Sequence, residues 1–153
     1  MGRFQTTHFG EIEFEEAAVV HFPRGLPAFE DEVRFLLIER AETAPVVFLQ
    51  SLTRGPLVFM ALPARLIDPA FQLDLQPDEC EALGIAGATG GLDDGRDLIC
   101  LALLTVREHA AVTANLLAPV VIGARSRHAL QIIQTDSGYR VDQPLASERP
   151  PCS

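Results

Sequence analysis

The sequence predicts an all-β fold: a compact antiparallel β-barrel-like domain with one or two short helical connectors. Three observations predict it. Apolar and β-branched segments of strand length recur at close spacing, turn residues punctuate them, and only one stretch carries a full set of helix signals. Periodicity does not separate a barrel from a sandwich. A chain of 153 residues favours a single compact sheet.

Taken in order, residues 11–14 alternate, with Ile12 and Phe14 on one face and Glu11 and Glu13 on the other. Residues 18–22 run through Val19 and Val20 and stop at Pro23. Residues 23–28 form a turn, because Pro23 and Pro27 fix φ and Gly25 can supply a positive φ. Residues 33–39, 45–52 and 57–62 read as strands, the last two parted by Arg54-Gly55-Pro56. Residues 71–75 alternate again through Phe71, Leu73 and Leu75.

A helix is expected from Pro77, which suits a first helical position, through the acidic first turn of Asp78 and Glu79 to Gly84. Residues 98–106 read as a central strand buried on both faces. One more helical turn is expected at 113–117, stopped by Pro119, followed by strands at 120–123 and 129–134. The expected organisation is one domain over 1–146 and a disordered tail over 147–153.

Composition narrows the chemistry. Hydrophobic residues make up 48% of the chain and charged residues 22%, a globular balance. The apolar runs at 98–106 and 116–122 are too short to span a bilayer, and no secretory signal opens the chain. A soluble protein is expected. Twelve basic residues face twenty-one acidic ones, for a net charge of −9. Every cation is arginine, which excludes Schiff-base and Walker-type lysine chemistry. An acidic surface repels phosphate, so a basic protein is the expected partner class rather than nucleic acid or membrane. Cys80, Cys100 and Cys152 lack Cys-x-x-Cys spacing and read as free thiols in a reducing compartment.

No motif carries catalysis. The glycines at 84, 87, 90 and 91 imitate a phosphate loop, but no strand feeds them and Asp93, Asp94 and Asp97 would repel an anion. His8, His21, His109 and His128 lack metal-ligand spacing, and Ser51, Ser126 and Ser137 lack a nucleophile elbow. The opening Met-Gly formally matches a myristoylation signal without a second membrane signal. No cofactor and no metal are expected. Glu11 and Glu13 form either a solvated face or an acidic strip offered to a partner.

Four stretches in one order resemble the flagellar assembly factor FliW family. Thr7-His-Phe-Gly-Glu-Ile-Glu13 is similar to its opening strand, and His21-Phe-Pro-Arg-Gly-Leu-Pro-Ala-Phe-Glu30 to its Phe-Pro-x-Gly-Leu-Pro turn. Phe48-Leu-Gln-Ser51 and Thr113-Ala-Asn-Leu-Leu-Ala-Pro-Val-Val-Ile122 resemble its Leu-Gln-Ser and Asn-Leu-Leu-Ala-Pro segments. Gln131-Ile-Ile133 and Tyr139 fall where the family has a glutamine-rich strand and a tyrosine. Ala28, where the family has glycine, Gly123, where asparagine often stands, and the glycine-rich 84–95 stretch depart from its pattern.

The resemblance implies a small cytoplasmic β-barrel-like protein without enzymatic activity. It implies two protein partners, flagellin and the RNA-binding regulator CsrA. Released from flagellin, the protein would antagonise CsrA allosterically and relieve repression of flagellin synthesis. The candidate contacts are Glu11, Glu13 and Glu30 for charge steering and Phe29 and Phe48 as apolar anchors or core. Gln50, Asn115 and Tyr139 are candidates to bond either a partner or their own backbone. A small-molecule-binding barrel and a hydrolase are the alternatives; the first needs an internal cavity and the second a converged Ser-His-Asp set.

Overall fold

The computed structural model of the chain describes residues 1–26, 29–85 and 97–145. The chain opens with a hairpin of β1 (Gly2–Gln5) and β2 (Glu11–Phe14) in the register Arg3↔Glu13 and Phe4↔Ile12. The pleat therefore puts Arg3, Glu11 and Glu13 on an exposed face and half-buries Phe4, Ile12 and Phe14 on the other. A 3-10 turn at Glu16–Ala18 leads into β3 (Val19–His21).

A meander follows: β4 (Arg34–Glu39), β5 (Val47–Ser51) and β6 (Val58–Pro63), each antiparallel to its neighbour. The turn before β4 closes on Gly25 at φ +65, where a Cβ would lie 2.4 Å from the Glu30 carbonyl oxygen. Only glycine fits that approach. Helices α1 (Ala64–Ile67) and α2 (Pro77–Ala82) connect the meander to β7 (Leu98–Thr105). The α2 start has Pro77 in its first turn as expected, and it is further secured by the Gln76 N–H donating to Glu79 Oε1 at 2.8 Å.

Three short strands follow β7 in sequence: β8 (Thr113–Ala114), β9 (Val120–Gly123) and β10 (Ala129–Gln131). A last strand, β11 (Gln143–Pro144), pairs with β8. Among the described residues the principal sheet runs β10-β9-β7-β6-β5-β4-β3, all antiparallel. β7 is its hub. One edge serves β6, and the other serves β9 along Leu98–Leu101 and β8 from Leu104.

The sheet is open along its ladders, so the barrel-like description holds only loosely. It curls until β3 meets the segment just before β10 at an isolated bridge, His21↔His128, through a His21 N–H bond to the Arg127 carbonyl at 2.8 Å. The Arg127 guanidinium reaches across the same seam to the Ala18 carbonyl at 3.3 Å.

Two apolar clusters lie on opposite faces of this sheet. The first fills the curl with Phe22, Phe35, Leu49, Leu101 and Ile122, all 1% exposed or less. The second gathers Leu98, Cys100, Ala102, Val121 and Leu130 under Phe71, Leu83 and Leu116. β7 serves both: Leu101 turns to the first, and Leu98, Cys100 and Ala102 to the second. The expected strand buried on both faces is therefore present.

Two local expectations fail. Residues 113–117 make no helical turn; Thr113 and Ala114 extend the sheet, and the Asn115 N–H continues the pairing to the Leu103 carbonyl at 2.9 Å. Pairing with the end of β7 outweighs the weak preference of five residues for a helix. Residues 71–75 alternate but join no strand. Their backbone is held by side chains instead: Asp74 N–H donates to Gln134 Oε1 at 2.7 Å, and Gln134 Nε2 returns a bond to the Asp74 carbonyl at 3.1 Å. The expected tail at 147–153, Cys152 and the glycine-rich stretch from 86 lie outside the described residues.

Candidate protein-binding surface

The eight candidate contacts separate into surface, rim and interior. Glu11 and Glu13 stand exposed on β2, with Glu13 3.5 Å from Arg3 Nε. At that exposure the pair adds little stability. Glu30 is exposed on the turn before β4. Phe48, half-buried on the outer face of β5, meets the Phe9 ring edge-on at 5.3 Å, and Arg40 caps that ring at 5.0 Å.

Gln50 is fully buried. Its Nε2 donates to the carbonyls of Ser51, Gly55 and Leu57 at 2.9–3.2 Å, tying down the β5–β6 turn. The amide thus serves the protein's own backbone. Tyr139 serves its own backbone: its hydroxyl accepts the Gln72 N–H at 2.9 Å and its ring stacks on Phe71 at 4.8 Å, and it lines a surface groove.

Phe29 and Asn115 are related through Phe59. Phe29 packs edge-on against Phe59 at 5.7 Å, and Phe59 shares with Asn115 a cavity of about 410 Å³. Leu26, Leu103, Ala118, Gln131 and Ile133 complete its lining. A second, more polar groove of about 820 Å³ holds Asp74, Glu79, Asp136 and Tyr139. Ile133 borders both. Sequence reading missed Ile133, Asp74 and Asp136 as surface features. One signal was available for the first: adjacent strand residues face opposite ways, so Ile132 and Ile133 cannot both be core. Ile132 is 3% exposed and Ile133 64%.

The serines that a hydrolase would need are otherwise engaged. Ser51 Oγ donates to Glu32 at 2.7 Å, Ser126 Oγ donates to the Leu83 carbonyl at 2.6 Å, and Ser137 Oγ accepts the Tyr139 N–H at 3.0 Å. Among the described residues no cluster of three metal-ligating side chains is present, and no helix is long and apolar enough to cross a membrane. Neither Cys80 nor Cys100 takes part in a disulfide.

Two described carboxylates, Glu32 and Asp142, are held below their ordinary range, and in Glu32 hydroxyl donors are the main cause. Hydrogen bonds from Thr53 and Ser51, with the nearby Arg54 charge, hold its carboxyl below its ordinary value of 4.5. A depressed folded-state value means stability that is present above the ordinary glutamate range and lost as pH falls through the folded value. Glu32→Gln is therefore expected to melt below the native protein at neutral pH, with the gap closing in thermal scans as pH falls through the lowered folded value. A gap that stays constant as pH falls would contradict the assignment.

These features define a class: a small antiparallel β protein with an apolar cluster on each face of its sheet and two surface grooves. Comparison with known proteins gives the family. The FliW protein family model matches residues 3–145. A flagellar assembly factor FliW from Syntrophomonas wolfei is 33% identical over 141 residues, covering 92% of this chain and 86% of its own. One from Geobacillus kaustophilus is 32% identical over 148 residues, covering 96% and 97%. A crystal structure of the flagellar assembly factor FliW superposes with a TM-score of 0.81 at 31% identity, over 94% of this chain and 96% of the other. The chain belongs to the FliW family.

Proposed function

We propose that this protein is a cytoplasmic flagellar assembly factor that works by binding and without catalysis. In this reading it holds flagellin before export. Once flagellin leaves, the freed protein binds CsrA, antagonises its RNA binding from a site away from the RNA, and relieves repression of flagellin synthesis. The observation that carries the assembly-factor reading is the family match over residues 3–145, with relatives of that name at matching length. Charge supports the second partner: a net −9 steers in a basic RNA-binding protein. Exchange between partners needs only mass action, since flagellin occupying the protein lowers the concentration free to meet CsrA.

Titration of the purified protein with CsrA and flagellin from its own organism tests this. Saturation at one protein per CsrA chain is expected, weakened by added flagellin and by salt. Absence of binding to both partners at about micromolar concentration, some 8 kcal/mol of affinity, would overturn the proposal.

A further inference from the structure

Ile133 exposes 64% of its surface at the point where the two grooves meet. A large apolar side chain on a rim between two concavities is the kind of feature that marks an interaction site. The two sides differ in chemistry. On one, Leu26, Phe59 and Leu103 floor an apolar mouth that leads to the first core cluster. On the other, Asp74 and Asp136 present carboxylates that meet no cation among the described residues. No described residue lining either groove is basic.

The rim of the apolar mouth also carries unused hydrogen-bonding capacity. Asn115 Oδ1 accepts the Ala118 N–H at 2.9 Å, and Gln131 Nε2 donates to the Ala118 carbonyl at 2.9 Å. Both amides thus grip the same residue with one end. The Asn115 NH₂ remains as a donor and Gln131 Oε1 as an acceptor, the complement of a peptide group.

We infer that the two grooves and the Ile133 rim form one docking surface for a basic protein segment. An apolar side chain of the partner enters the mouth beside Phe59 and Leu103. Its peptide group pairs with Asn115 and Gln131, and an adjacent Arg or Lys lies over Asp74 and Asp136. Of the two partners proposed above, the RNA-binding one meets the charge requirement, so the inference rests on that reading and assigns this surface to CsrA.

The test is a CsrA titration of three proteins, the native chain, Ile133→Asp, and the double variant Asp74→Asn with Asp136→Asn, each at low and high salt. Thermal melts run in parallel, and both variants should melt with the native protein because these side chains are exposed. Ile133→Asp is expected to weaken CsrA binding by about tenfold or more, as a central anchor does. The double variant is expected to weaken it about threefold at low salt and to flatten its salt dependence. Native-like CsrA affinity in both variants would overturn the inference while leaving the partner-switch reading intact. Loss of flagellin binding with CsrA binding unchanged would reassign the surface and overturn it equally. A native chain that binds no CsrA would sink the functional reading and this inference together.

Discussion

Replacing Phe35 by alanine is expected to cost about 3–5 kcal/mol, a large share of the stability of a protein this size. Phe35 is fully buried at the centre of the first cluster. Its ring meets Phe22 edge-on at 5.2 Å and Phe59 at 6.0 Å, and its backbone sits between Val20 on β3 and Ser51 on β5. Removing the ring takes away its burial energy and leaves a void that two stiff strands cannot collapse into. Urea unfolding should show a lower midpoint with an unchanged slope, and the melting temperature should fall by about 10 °C or more. Phe35→Leu, which keeps most of the volume, should cost markedly less. A Phe35→Ala loss below about 1 kcal/mol would mean that the curl is not packed as described.

The second large effect is expected at Gly123, where alanine would force two layers apart. A Cβ there would lie 2.2 Å from the Leu83 carbonyl oxygen and 2.6 Å from Ser126 Oγ. The close approach is where the end of α2 docks on β9, sealed by the hydrogen bond from Ser126 to Leu83. Because a backbone oxygen is the obstacle, no rotamer change relieves the clash. Overpacking of this kind costs about 1–3 kcal/mol, and losing the seal adds about 1 kcal/mol. Ser126→Ala separates the two contributions, since it removes only the seal. A Gly123→Ala variant within about 0.5 kcal/mol of the native protein would refute this account.

The strands that sequence reading placed share a property: their identity is written locally. β2, β4, β5, β6, β7 and β9 show a period of two, a run of β-branched residues or flanking turn residues, and each begins and ends within a few positions of expectation. What was missed depends on distant partners. β1 has a single large apolar residue, Phe4, and becomes a strand because β2 lies beside it. The strand at Thr113 exists because β7 extends past β9 and needs a neighbour. Residues 71–75 carry a strand pattern, but Gln134 satisfies the backbone that a ladder would otherwise pair.

The surface was less legible for the same reason. Glu11 and Glu13 could be assigned to an exposed face by alternation alone, and they are exposed. Gln50 could not, because its position inside depends on three carbonyls presented by a folded turn. Asp74 and Asp136 reach one groove from segments on opposite sides of β7 in sequence, and no local pattern joins them. Family likeness, carried by whole stretches rather than single positions, was easier to read than any contact.

The seam of the curled sheet has a mechanical meaning. Neighbouring strands of the meander are joined by short loops, so each ladder forms at small entropic cost. The seam instead joins groups as far as 109 residues apart in sequence, through the His21 bridge, the Arg127 guanidinium and the edge-on His21 and His128 rings. Closing so long a loop carries a larger entropic cost than closing any hairpin of the meander. The protein is a split ring: the backbone join along one line is slight, and the apolar cluster inside, which takes Val20 and Phe22 from one side and Ile122 and Ala129 from the other, spans the gap.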